Sequence, residues 1–373
     1  MSNITKDPLY YPRTELAERL VASLKDGISH ALTLFAPRRM GKTQFLLQDI
    51  KPLAEEKGFH VCYFSFMDTF ISGDNQTQGT DIQQAFCQAL SSFLTKTVQA
   101  KLNKALGKIK TVEIAGMVGL DLDNGKLPEP TSPSRLLQEI AETSQKPVLM
   151  LFDEIQELAR IKGMQALVKS LRTGLDMYQS KIKVIFTGSS TNGLRTMFND
   201  SKAPFFHFAH ALNFPNLGRD FTDFLADIYQ QRVGKVLDKA VFFTIFQRLN
   251  YTPLYMRTIT QNLIIDPDLS LEQAVQKTLD EIGFQNENVQ QWQQLSDLEK
   301  QILRLIAQGK SALYSQDTRQ QLANLLGVKQ ISSSTIQGKI KKLERADLIT
   351  RGVGDELKIN QPQFQTWLIE NKI

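Results

Sequence analysis

Ala36-Pro37-Arg38-Arg39-Met40-Gly41-Lys42-Thr43 places a glycine, a lysine and a hydroxyl at the spacing that wraps a backbone turn around an anion. The apolar run Ala31 to Phe35 precedes this octet, and the helix-like Gln44 to Ile50 follows it. A turn between strand and helix aims successive N–H groups and a helix N-terminus at one group; Lys42 would add charge and Thr43 a hydroxyl for Mg²⁺. Pro37, Arg38, Arg39, Met40, Gly41, Lys42, Thr43 and Gln44 are therefore candidate phosphate-binding residues. The octet departs from G-x-x-x-x-G-K-[S/T] at Ala36, and alanine makes that turn if its φ is negative. A near-match of this length also arises by chance, so the loop needs a second motif.

Pro147-Val-Leu-Met-Leu-Phe-Asp153-Glu154 is that motif, an apolar run that ends in two carboxylates. Such a run has the character of a central parallel strand covered on both faces, and its acids emerge at the C-terminal edge, where open α/β sheets bind ligands. There Asp153 would hold Mg²⁺ with Thr43, and Glu154 would polarise an attacking water. A strand followed by an acid capping the helix Ile155 to Ile161 is the plainer alternative. Together the two motifs imply a nucleoside triphosphate site with Mg²⁺, in which Lys42 and Glu154 are catalytic.

A third run, Lys183-Val-Ile-Phe-Thr187-Gly-Ser189-Ser190, ends in small hydroxyls. With its strand between the loop strand and the acidic strand, Thr187, Ser189 and Ser190 are candidates to sense the terminal phosphate, against an ordinary Ser/Thr turn. Arg195 follows, either an arginine finger or a surface base.

Tyr11-Pro12-Arg13-x-x-Leu16, the Pro-Arg-Arg-x-Gly-Lys-Thr loop, the Asp-Glu-x-Gln tetrad Asp153 to Gln156 and the Thr-Gly-Ser segment resemble the archaeal-type ATPases, from about Leu9 to Ile369. These belong with the STAND signalling ATPases and, more distantly, the AAA+ origin-recognition proteins. The resemblance implies that Tyr11 to Arg13 lie beside adenine and ribose and that Thr252-Pro253-Leu254 is the turn of a helical lid. Two departures stand out: Ala36 replaces a family glycine, and Asn250-Tyr-Thr-Pro253 lacks the glycine common before that proline.

The elements that must position these residues follow from periodicity. Glu15 to Leu24 has the pattern of an amphipathic helix, Gly58 to Phe66 of a strand, and Asp81 to Leu102 of a helix. Ile109 to Leu122 alternates like a hairpin with Gly116 and Gly119 as turns, and Asp121 to Pro133 has the composition of an exposed loop. Ser201 to Pro215 is aromatic, through Phe205, Phe206, Phe208 and Phe214, which suits packing more than a partner surface. Asp220 to Gln231, Val236 to Leu249, Pro253 to Leu263 and Leu271 to Ile282 form the helical block expected of the lid. On it Arg257 either reaches a phosphate on closure or is a solvated helix arginine.

Leu295-Ser296-Asp-Leu-Glu299 opens the last region with a capping box that starts a helix through Ile306. Ser315 to Leu326, Ser334 to Ala346, the paired strands Leu348 to Arg351 and Glu356 to Ile359, and a closing helix around Gln363 to Leu368 predict a winged helix-turn-helix. From Ser296 onward twelve Lys/Arg stand against eight Asp/Glu, which carries most of the chain's net charge of +5. Lys339, Lys341, Lys342 and Arg345 on the third helix and Arg351 on the wing are the candidate nucleic-acid contacts, although a solvated helix face carries such charges too.

For 373 residues, 42% hydrophobic, two to three domains with real cores are expected. No stretch approaches the roughly 18 apolar residues of a membrane helix, and Met1 to Pro8 is polar, so a soluble cytoplasmic protein is expected. Cys62 and Cys87 fall in apolar elements as reduced packing residues, and His207 with His210 lacks acidic or thiol partners for a metal. The expected architecture is an α/β P-loop domain with a parallel sheet (1–215), a helical lid (216–290) and a C-terminal winged helix (291–373). The expected function is a Mg²⁺-dependent ATPase switch acting on duplex DNA through the winged helix. ATP is preferred over GTP because no Asn/Thr-Lys-x-Asp guanine signature appears. The alternative is a STAND-like signalling or scaffolding ATPase whose winged helix binds protein, and the third is a nucleotide-binding module without turnover.

Overall fold

Every residue from Val148 to Asp153 is buried, which requires cover on both faces of the strand they form. A computed structural model of the protein describes residues 7–67, 78–106, 132–161, 163–189, 197–198, 203–281, 284–310, 312–346, 348–351, 356–360 and 362–370. Helix α1 (Thr14–Lys25) leads into strand β1 (Ala31–Phe35), whose exit loop opens helix α2 (Lys42–Phe45), a π-helical turn (Leu46–Ile50) and helix α3 (Lys51–Glu56). Strand β2 (His60–Ser65), helices α4 (Gln78–Leu106) and α5 (Pro133–Thr143), strand β3 (Val148–Asp153) and helices α6 (Glu157–Arg160) and α7 (Gln165–Met177) follow. Strands β4 (Ile182–Gly188) and β5 (His210–Asn213) complete the sheet.

The sheet order is β2-β3-β4-β1-β5, with every pair parallel, so β4 lies between the loop strand and the acidic strand as expected. Alternation divides β3 between two cores. Val148, Met150 and Phe152 pack with residues of α4, α5 and α7 on one face, and Leu149 and Leu151 pack with α1 and the loop helix on the other. Register then decides the site: Ser65 stands opposite Asp153, and Leu34 and Phe35 stand opposite Thr187 and Gly188.

Helices α8 (Arg219–Val233), α9 (Lys239–Arg248), α10 (Pro253–Ile265), α11 (Leu271–Glu281) and α12 (Phe284–Gln293) succeed the sheet. After them come α13 (Asp297–Ala307), α14 (Gln316–Leu325), α15 (Ser333–Arg345), the antiparallel strands β6 (Ile349–Arg351) and β7 (Leu357–Ile359), and α16 (Pro362–Glu370). The capping box forms as read: Ser296 Oγ accepts from Glu299 N and Glu299 Oε2 accepts from Ser296 N. One continuous apolar interior runs from Phe221 to Leu368, and Leu9 of the N-terminal segment inserts into it.

The structure departs from the sequence reading in places. Pro133, assigned above to the end of a loop, is the first residue of α5, where its missing N–H costs nothing and Ser132 caps the helix. Helices α5, α7 and α12 were not anticipated. Nor was β5, whose largely exposed residues show no alternation, although Phe205, Phe208 and Phe214 beside it are core residues as expected. The helix read over Ile155 to Ile161 shortens to Glu157–Arg160. The hairpin read over Ile109 to Leu122 lies outside the described residues, as do Ser190 and Arg195. No helix among the described residues is long and apolar enough to cross a membrane.

Candidate functional site

The loop after β1 turns through two left-handed residues, Arg39 (φ 69°) and Gly41 (φ 87°). Glycine takes that conformation freely, whereas an arginine there carries strain, and such strain clusters at ligand sites. Ala36 is not among the residues of positive φ, so it makes its turn in the ordinary region and takes the glycine's place without penalty. Helix α2 begins at Lys42, and its first bond runs from Phe45 N to Gly41 O at 2.9 Å.

Lys42 is 4% exposed, and its Nζ donates to Ala36 O at 2.8 Å and Pro37 O at 2.9 Å. Burial lowers its pKa, opposed by the nearby carboxylates of Glu154 (Nζ to Oε1, 4.0 Å) and Asp153. An ammonium so placed gains from a bound anion. Thr43 Oγ1 donates to Asp153 Oδ2 at 2.6 Å, and Tyr63 OH donates to the same oxygen at 3.2 Å. Thus the loop hydroxyl and the strand acid, 110 residues apart, share one hydrogen bond.

The acid pair is held from behind by the β4 terminus. Thr187 Oγ1 donates to Asp153 Oδ1 and accepts from Glu154 N at 3.2 Å. Glu154 itself is left-handed at φ 56°, and its Oε2 accepts from Ser189 N at 3.1 Å, Ser189 Oγ at 2.6 Å and the amide of Gln156. Thr187 and Ser189, candidates to sense the terminal phosphate, bond to the acids, as buried hydroxyls do with the nearest strong acceptor.

A cavity of about 710 Å³ opens on this cluster. Arg38 to Gln44, Asp153, Glu154, Arg13 and Pro253 all border it, which brings most of the sequence-derived residues to one volume. Pro37 does not line it; its carbonyl accepts from Lys42 Nζ at 2.9 Å. The donor set fits a triphosphate with one divalent cation: a buried ammonium and a strained backbone turn for phosphate oxygens, a hydroxyl and a carboxylate for a hard cation. Arg13, expected beside the base and ribose, borders the cavity, but its guanidinium lies 4.1 Å over the Phe214 ring and donates to Pro215 O at 2.6 Å. Burial holds its pKa down at about 10, opposed by Tyr10 and Asp49.

Sequence reasoning missed two contributors. Asp49, buried in the π-helical turn, accepts from Tyr10 OH at 2.5 Å and Arg13 N at 3.0 Å and so pins the N-terminal segment against the loop helix. Nothing in the sequence marks a π turn. Tyr63 is an aromatic in a strand until the register puts it beside Asp153. Arg257, which also borders the cavity, ties helix α10 to that same segment through Asp7 at 2.5 Å and Leu9 O at 3.2 Å. Arg39 Nη1 donates to Tyr255 OH at 3.0 Å, a second tie between the loop and α10. Just before Pro253, Asn250 and Tyr251 take left-handed φ of 51° and 52°.

The nucleic-acid candidates divide. Lys339 and Lys342 reach the fully buried Glu299 Oε1 at 3.1 Å and 2.9 Å, and Arg351 Nε donates to Glu344 Oε1 at 2.7 Å. A buried carboxylate requires counter-charge, so two of the helix lysines anchor α15 to α13. Lys341 and Arg345 are exposed.

A family model described as an ATPase domain predominantly from Archaea matches residues 12–231. The structure is similar to that of the Walker-type ATPase PABY2304 of Pyrococcus abyssi, with a TM-score of 0.64, 19% identity, and 97% of this chain and 100% of that chain covered. It is also similar to the Aeropyrum pernix ORC2 protein in its ADP form, with a TM-score of 0.52, 16% identity and coverage of 99% and 95%. No curated protein matches the sequence.

Proposed function

The chain belongs to the ATPase domain family found predominantly in Archaea, and from that footing we propose a Mg²⁺-dependent, ATP-hydrolysing switch whose nucleotide state repositions a C-terminal winged helix on duplex DNA. The observation that carries the reading is the convergence of Lys42, Thr43, Asp153 and Glu154 at the mouth of one cavity. In this reading residues 1–215 are the ATPase domain, 216–290 the lid and 291–373 the winged helix, and the protein works in the cytoplasm. That the structurally similar ORC2 protein is described with ADP adds support for a nucleotide.

Lys42 exchanges its two carbonyl partners for phosphate oxygens, and the N–H groups of the loop and of α2 bind the rest. Thr43 and Asp153 are the residues that would hold Mg²⁺, which neutralises phosphate charge. Glu154 orients the attacking water and takes up its proton. Pro253 and Leu254 border the same cavity from α10, so γ-phosphate contacts on one wall bias the lid on the other. The Arg39–Tyr255 and Arg257–Asp7 ties are the existing connections through which that bias travels.

A protein-binding, STAND-like alternative is favoured by one observation: Lys339, Lys342 and Arg351 are paired with carboxylates of the chain itself, which offsets part of the basic charge of this face. A steady-state ATPase assay of the full chain with and without duplex DNA, paired with a salt titration of DNA binding, separates the readings. Stimulated turnover, with salt-dependent binding lost on joint reversal of Lys341 and Arg345 to Glu, supports the DNA switch. Unstimulated turnover with no binding at low salt supports the protein partner, and no turnover at all leaves a binding module.

A further inference from the structure

The Glu154 carboxylate has two oxygens in unlike surroundings. Oε2 accepts from three donors, namely Gln156 Nε2, Ser189 N and Ser189 Oγ, whereas Oε1 faces Lys42 Nζ at 4.0 Å. Glu154 borders the cavity, but Gln156 and Ser189 are buried behind it, at 0% and 5% exposure. The Gln156 amide also donates to Glu157 Oε1 at 3.3 Å and Ser189 Oγ at 3.3 Å. Flipping that amide would point an oxygen at two carboxylates, so the network fixes its orientation. Among the described residues its own Oε1 is buried without a hydrogen-bond partner, a standing cost that a residue chosen for packing alone would avoid. The left-handed backbone of Glu154 turns the side chain toward these donors, and it too carries strain.

We propose that Gln156 and Ser189 are positioning residues that clamp Oε2 of Glu154 and so present Oε1, alone, to the attacking water; this rests on the hydrolytic reading above. A glutamate carries three side-chain torsions, and a water-orienting oxygen must be held to within a fraction of an ångström for in-line attack. Saturating one oxygen removes that freedom and leaves the other as the acceptor for the water proton. Ser189 thereby has a task other than sensing phosphate, and the fourth residue of the Asp-Glu-x-Gln tetrad has a physical purpose.

The test is a double-mutant cycle on the full chain with Mg²⁺ and ATP, reading kcat, KM and ATP affinity separately. Gln156→Met keeps volume and loses the donor, and kcat is expected to fall on the order of 10-fold or more while ATP affinity stays within about 2-fold. In a Glu154→Gln background the same change is expected to lower single-turnover rates by less than about 2-fold, because the clamp has lost its object. At the second donor, Ser189→Thr keeps the hydroxyl and is expected to retain more turnover than its isostere Ser189→Val. This pair decides the matter if the Gln156 variant fails to fold. An unchanged kcat in Gln156→Met, an equal loss in both backgrounds, or equal rates for the Thr and Val variants overturns the clamp while the ATPase reading stands. Absence of hydrolysis by the natural chain, with or without DNA, overturns both.

Discussion

Lys42 and Glu154 meet across the cavity mouth, and their separation of 4.0 Å is short enough for charge to matter and too long for a strong hydrogen bond. The lysine therefore remains available to a phosphate. Lys42→Ala is expected to weaken ATP affinity by roughly 10- to 100-fold, the equivalent of one or two charge-assisted hydrogen bonds, as read by calorimetry. Undiminished affinity would remove Lys42 from the site. Glu154→Gln is expected to lower kcat on the order of 100-fold with binding retained, and an unchanged rate would take the water away from Glu154. Both side chains were legible in the sequence, because glycine, lysine and paired acids at fixed spacing suit few other tasks. The orientation of Thr187 was not: a hydroxyl at a strand end serves a phosphate or a carboxylate equally well until its neighbours are known.

Packing between α5 and α7 has one tight point. A Cβ on Gly174 would come within 2.9 Å of the Ser134 Cα and 2.8 Å of a Leu137 methyl. The methyl can move, but the backbone of α5 cannot do so cheaply. Gly174→Ala is thus expected to destabilise the protein by about 1 to 3 kcal/mol, seen as a lower urea midpoint at unchanged slope. An unchanged midpoint would mean that the two helices separate freely. Strands β1, β3 and β4 and helices α8 to α11 were readable from apolar runs and helical spacing. Strand β5 was not, because the pairing that makes it a strand comes from β1, and nothing in its own exposed residues reports that partner.

Across the whole molecule, the junction between α13 and α15 combines an apolar core with one buried charge, Glu299. Burial pushes the Glu299 carboxyl up, but the backbone N–H of Ser296 and the ammonium groups of Lys342 and Lys339 outweigh it and hold the pKa at about 2. A depressed carboxylate contributes stability above its ordinary range, near pH 4.3, and that contribution is lost as pH falls from there toward 2. Glu299→Gln is expected to lower stability at neutral pH and to flatten this acid limb, measured as urea midpoints from pH 7 to 3; parallel curves for the two proteins would remove Glu299 from the account. The sequence by itself determined the capping box, the phosphate loop and the acid pair, since each is a property of near neighbours along the chain. Only the tertiary structure decided that Lys339 and Lys342 pair with Glu299, that Asp49 and Tyr63 join the site, and that Ser189 grips Glu154. Those outcomes depend on which buried charges and donors meet across the fold, and chain spacing does not encode such distances.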